Sequence, residues 1–319
     1  MKKILVLAAA MTLLSCNGKS TDTTTGDDDS SVAGFVQSSI GTVSDALSQD
    51  SVSTFSQQAS LLPTQNSELV ESAELTSSSS ALLPKAACSS AGSSFGSCTS
   101  GVKNRSFGGC SRTGSSGDTV TVNGSASLTF SDSGCSMATD GNYFTRTVSN
   151  HYVTLTSGYK ILTFTSAGVV DATTISTSDL TTWDGLTKVG GTKVKKTTGG
   201  LSIQILGVHR WGLRSTGVVG FKHTIYTPDS SPISVTGSGT SGSPYTVSGT
   251  VTVAHNRASV NVSTTYNNVG YVPSSCCYPT SGTMTYQLGS ATSRTITFTS
   301  TCGSITVDST AVTLPACGS

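Results

Sequence analysis

The side chains with the greatest chemical scope in this 319-residue chain are its cysteines. Eight of the nine lie beyond residue 85: Cys88, Cys98, Cys110, Cys135, Cys276, Cys277, Cys302 and Cys317. An even set of this kind suits disulfides, which close loops and restrict the unfolded chain. The competing chemistry is metal ligation. It asks for C-x-x-C or paired histidines at ligand spacing, and the chain has neither, so no metal or cofactor is expected. Cys110 to Cys135 and Cys277 to Cys302 both span 25 positions, with Phe130 and Phe298 shortly before the second cysteine. Equal spacing predicts the pairs Cys110–Cys135 and Cys277–Cys302, as one β unit used twice. Cys88–Cys98 and Cys276–Cys317 follow by elimination. The adjacent Cys276 and Cys277 point to opposite faces of an extended segment, so each takes its own partner.

A second group of residues points to ion binding. Lys188, Lys193, Lys195, Lys196, Arg210, Arg214 and Lys222 occupy a stretch without a single acid, and Trp211 falls among them. Bases interleaved with an aromatic suit an anionic polymer: lipid headgroups, cell-wall phosphate or nucleic acid. The plainer reading is a hairpin whose lysines protect a sheet edge. Catalytic signals are thinner. Gly92-Ser93-Ser94-Phe95-Gly96 matches G-x-S-x-G, but it lies in a short loop between cysteines rather than on a strand–helix turn. Glycan hydrolysis takes two carboxylates. No glutamate follows Glu74, and most of the eight later aspartates adjoin Gly or Ser, as turn residues do. The four histidines (His151, His209, His223, His255) are widely spaced. The expectation is therefore no enzyme, with an ester- or polysaccharide-hydrolysing activity as the disfavoured alternative.

The elements that must hold these residues follow from composition. Ser and Thr make up 109 residues and Gly another 34, which disfavours long helices and suits short strands with frequent turns. From Cys88 onward apolar residues alternate with Ser and Thr, as in Ala126–Phe130, Leu201–Ile205, Thr250–Val253 and Thr295–Phe298. This is the pattern of half-buried antiparallel strands. Asn123-Gly124, Asp140-Gly141, Asp184-Gly185, Gly190-Gly191 and Gly199-Gly200 read as turns. The fold class is mainly β: a long antiparallel meander of a dozen or more strands, too many for a flat open sheet, forming a curled sheet or a sandwich. Ser230–Ser243 is the candidate internal joint. Before the β body, Val32, Phe35, Val36, Ile40, Val43 and Leu47 recur at helical spacing, and residues 67–75 suit a further short helix. Charge divides along the same line. Residues 17–84 hold nine acids and one base, and residues 85–319 hold fifteen bases and eight acids.

Lys2 and Lys3 precede the apolar run Ile4–Leu14, which closes on Leu13-Leu14-Ser15-Cys16. These sixteen residues resemble a bacterial lipoprotein signal ending in a lipobox. The run is too short to span a bilayer. The resemblance implies cleavage before Cys16, a diacylglycerol on its thiol and a further acyl chain on its amino group; Asn17 fits transfer to the outer membrane. Two or three chains hold a protein stably where one does not. The organisation expected is a signal at 1–15, a lipidated, flexible tether at 16–31, a helical, low-complexity segment at 32–84 and a disulfide-stapled β domain at 85–319. The last 75 residues, with Cys277-Tyr-Pro-Thr-Ser-Gly-Thr and Cys302-Gly303, resemble the Cys-rich β-meander of uncharacterised bacterial surface lipoproteins. That resemblance also implies a Cys277–Cys302 pair and carries no activity. The expected role is a lipid-anchored envelope protein acting as a non-enzymatic binding or structural module. Its partners would be the membrane and an anionic envelope polymer. The alternative is a carrier or sensor of an apolar ligand in a concave sheet.

Overall fold

A computed structural model describes residues 96–113, 119–155, 158, 160–180, 187–213, 215–217, 219–255, 259–272, 275–276 and 279–313. The residues expected to form the signal, the tether and the helical segment lie outside this set, as do Cys16, Cys88, Arg214, Cys277 and Cys317.

The chain opens with β1 (Val102–Thr113), β2 (Thr119–Phe130), β3 (Tyr143–Leu155) and β4 (Lys160–Phe164). A small excursion follows: β5 (Gly168–Val170), β6 (Thr173–Ile175) and a single 3-10 turn over Thr177–Leu180. The middle of the chain supplies β7 (Gly191–Thr197), β8 (Gly200–Leu213), β9 (Val219–Tyr226) and β10 (Ile233–Thr236). It closes with β11 (Tyr245–His255), β12 (Val260–Tyr271), β13 (Ser281–Leu288), β14 (Arg294–Phe298), β15 (Ser304–Val307) and β16 (Thr310–Thr313).

All of these strands except β5 and β6 join one 14-stranded antiparallel sheet. Its two ends are meanders, as alternation and short turns dictate. Its middle is not. The long β3, β8 and β11 are each spanned by two short strands in line. β7 and β4 share the slot between β3 and β8, and β10 and β9 share the slot between β8 and β11. Residues 230–243 thus place β10 in the centre of the sheet.

Asn123-Gly124 is not a hairpin turn. It lies inside β2, at a bulge opposite Asn150 of β3. Gly124 and Asn150 both take positive φ (106° and 50°), and a Cβ on Gly124 would overlap the Asn150 carbonyl. Gly282 and Asn268 repeat the device between β13 and β12. A glycine facing a left-handed asparagine lets the two backbones close up where the strand bends.

One face of the sheet forms the core. Phe130, Phe144, Val194, Ile203 and Ile233 are successive register partners across five strands, all buried. Ile225, Val253 and Val262 form a second such row, and Met284, Ile296 and Val307 a third. Together with their neighbours they make one continuous cluster from β2 to β15. On the opposite face a smaller cluster lies where β5, β6 and the 3-10 turn cover Leu162, Phe164, Trp211 and Leu213 with Val170, Ile175 and Leu180.

Among the described residues two disulfides are formed, Cys98–Cys135 (Cα–Cα 5.9 Å) and Cys276–Cys302 (Cα–Cα 5.6 Å). These replace all four expected pairings. Cys110 stands opposite Val122 in the β1–β2 ladder, eight residues along β2 from Phe130, or roughly 27 Å at the rise of a strand. Cys98 precedes β1, whose start pairs with the end of β2, so it is the cysteine that reaches Cys135. At the other site Cys276 sits in the turn after β12, its N–H donating to the Val272 carbonyl, and buries its sulfur against the core. Residue spacing did not reveal which of two adjacent cysteines faces inward.

Candidate binding surface

Strand alternation divides the basic stretch between the two faces of the sheet. Arg210 falls on the core face and is buried, and Trp211 falls on the opposite face and is also buried, under β5 and β6. The Trp211 indole packs edge-on against Phe164 (centroids 5.2 Å, 81°). It is thus a core residue, and the expected role of Trp211 as a stacking platform for a ligand is overturned. Lys222 lies over that indole at 4.0 Å, with its ammonium 3.5 Å from Asp179 Oδ1. Asp179 is in turn held below the usual carboxylate range, chiefly by hydrogen bonds from the Ser176 side chain and backbone N–H. Lys188 pairs with Asp229 at 3.2 Å and covers the Tyr226 ring at 5.2 Å.

Three bases of the stretch remain on β7. Lys196 is half-buried in register with Leu201. Lys193 and Lys195 lie on the face away from the core, beside Tyr143 of β3. Lys193 is 3.9 Å over the Tyr143 ring, and Lys195 is the register partner of Tyr143 and is exposed. Neither has a carboxylate partner among the described residues. The acid-free stretch of sequence is therefore not an acid-free surface: Asp179 and Asp229 come to it from outside. What persists is a two-lysine patch with a tyrosine.

The aspartates of the described residues each serve the structure. Asp132 accepts from the Gly134 and Ser136 N–H groups, Asp140 from the Thr198 hydroxyl, and Asp171 pairs with Lys160. Asp308 accepts from the Thr295 N–H and pairs with Arg294 at 2.6 Å, and both contacts lower its pKa. Among the described residues no three His, Cys, Asp or Glu side chains are grouped to hold a metal ion.

Sequence reasoning did not reveal a row of basic residues on the core face. His151, Thr163, Arg210 and His223 are successive register partners across β3, β4, β8 and β9, and the backbone of His255 on β11 is next in line. His151, Arg210 and His223 are all buried. Alternation signals existed in each strand, but the register that aligns them is a long-range property.

His209 lies on the opposite face, fully buried. Its Nε2 donates to the Lys188 carbonyl at 2.6 Å, its Nδ1 accepts from the Thr224 hydroxyl at 3.1 Å, and its ring stacks on Phe164 at 5.1 Å. A carbonyl only accepts, so the ring is the neutral Nε2–H tautomer. Burial pushes its pKa down from 6.5 to about 4. No protein-family model, curated protein or solved structure matches this chain.

Proposed function

We propose that this is a lipid-anchored protein of the bacterial cell envelope, held on the outer membrane through Cys16, whose β body is a non-enzymatic binding or structural module. The anchor rests on the lipobox-like Leu13-Leu14-Ser15-Cys16 after a basic start and an apolar run. The observation that carries the module reading is the filled core face: large side chains such as Tyr245, Phe144 and Ile203 are essentially unexposed within one continuous cluster. A carrier of an apolar ligand needs that volume empty. Burying a whole sheet face requires a second layer about 10 Å away. With no α-helix among the described residues, the sheet curling over on itself is the simplest source of that layer. The helical segment at 32–84 would link this body to the tether.

The test is Cys16→Ser in cells, followed by fractionation and metabolic labelling with a fatty acid. The expected result is loss of the label and release from the membrane pellet. A variant that stays in the pellet with its leader normally removed refutes the anchor.

A further inference from the structure

The face of the sheet away from the main core carries, outside the smaller cluster under β5 and β6, two adjacent rows of hydroxyl and amide side chains that run at right angles to the strands. In the first row Tyr143, Lys195, Ser202, Ser234 and Ser248 are successive register partners across β3, β7, β8, β10 and β11. The bulge in β12 joins Ser248 to Asn268, whose N–H donates to the Ser248 hydroxyl at 3.0 Å. From Asn267 the row continues through Thr283, Thr297 and Thr306 on β13, β14 and β15. Nine strands at about 4.8 Å each make a track roughly 40 Å long.

The second row lies beside it. Thr145, Lys193 and Gln204 are register partners on β3, β7 and β8. Thr250, Thr265, Thr285 and Thr295 continue it across β11 to β14. Every one of these side chains is exposed or half-buried. Two acids adjoin the rows with bases of their own, Asp229 beside Gln204 paired with Lys188 and Asp308 beside Thr295 paired with Arg294. At the β7 end Asp140 accepts from the Thr198 hydroxyl. The charged members of the two rows are Lys193 and Lys195, at one end, and neither has a carboxylate partner among the described residues.

We infer that this face binds an extended acidic polysaccharide, its sugar hydroxyls lying along the threonine rows and its carboxylates meeting Lys193 and Lys195. Threonine, serine and asparagine both donate and accept, which is what a polyhydroxylated chain requires. The β-branched threonines have few rotamers to lose on binding. Tyr143 is the one aromatic in the rows, it stands at their end and Lys193 covers its ring, so the rows hold no central cluster of large apolar side chains to anchor a protein partner. Two unpaired lysines are too few to grip a polyphosphate through charge alone. A sheet twists by some 20–25° per strand, so a rigid crystalline surface would leave the rows while a flexible polymer follows them. The inference is independent of the lipid anchor and survives or fails without it.

The test measures binding of the full-length protein to alginate, a polymer of uronate sugars, with dextran and single-stranded oligo-dT as comparisons. Alginate is expected to bind at least tenfold tighter than either comparison. Lys193→Gln/Lys195→Gln should weaken it at least tenfold. So should Thr265→Val/Thr283→Val/Thr285→Val/Thr297→Val, whose residues suit exposed strand positions. For the unaltered protein the slope of log affinity against log salt should be no steeper than about −2. The inference is overturned by absent alginate binding, by oligo-dT binding as tightly as alginate, by a slope beyond about −4, or by an unchanged affinity in a valine variant with an unaltered melting temperature.

Discussion

His209 gives this fold a defined sensitivity to acid. Its neutral ring is fixed between the Lys188 carbonyl and the Thr224 hydroxyl and is stacked on Phe164. Its pKa is about 4 in the folded protein against 6.5 for an ordinary histidine. Between those values the unfolded chain takes up a proton that the folded chain refuses. Stability therefore falls as pH drops through this window, by about 1.4 kcal/mol per pH unit. Above 6.5 the contribution is complete, and near pH 4 about 3 kcal/mol has gone. The variant His209→Gln keeps a donor for the carbonyl and an acceptor for the hydroxyl but cannot titrate, and it loses the ring stack at a cost of about 1 kcal/mol at every pH. Urea unfolding of both proteins at pH 7, 6, 5 and 4 separates the two effects. The variant should be the less stable at pH 7 and the more stable at pH 4. A stability difference that stays constant across the series refutes a buried, neutral His209.

Peptide mapping without reduction should recover Cys98 linked to Cys135 and Cys276 linked to Cys302; a Cys110–Cys135 or Cys277–Cys302 peptide would contradict the register of β1 on β2 and the inward turn at Cys276. Replacing Gly124 with Val should lower the denaturant midpoint by the equivalent of about 2 kcal/mol or more, because positive φ and the Asn150 carbonyl both oppose a side chain there. Asp179→Asn should leave Trp211 fluorescence close to that of the parent protein, since Phe164 and the β5–β6 cover set the indole environment; a large red shift would show that the Lys222–Asp179 pair holds that cover closed. Thr250→Val and Thr265→Val exchange one exposed hydroxyl pair (2.9 Å) for methyl groups, and each should shift stability by less than about 1 kcal/mol in a thermal melt.

What the residues disclosed was local. The alternation in Ala126–Phe130 and Leu201–Ile205 places Leu128, Phe130, Leu201, Ile203 and Ile205 on the core side, where they are found. The mainly β character and the antiparallel pairing follow from the same pattern. What stayed hidden depends on which strand lies beside which. Nothing in the sequence of β4, β7, β9 or β10 states that they share slots beside β8, and that sharing buries Trp211 and Arg210 on opposite faces. Asn123-Gly124 carries the same signal whether it turns the chain or bulges it, and only the length of the facing strand β3 decides. The cysteines misled for a related reason: equal spacing counts residues along the chain, whereas pairing depends on distance across the sheet.

The Cys98–Cys135 bond encloses the whole β1–β2 hairpin, and β1 is an outermost strand of the sheet. Under the proposed anchor at Cys16, a load on the body would arrive from its amino-terminal side. Tension arriving at Cys98 crosses the sulfur bridge to Cys135 and enters β3, leaving β1 and β2 slack. An outermost strand pulled from its end would otherwise unzip one rung at a time. β3 is gripped on one edge by β2 and on the other by β7 and β4, so many ladder bonds must yield together. The bridge thus works as a strain relief, turning the weakest attachment of the sheet into one of its firmest, and its reduction should sharply lower the force needed to begin unravelling the body.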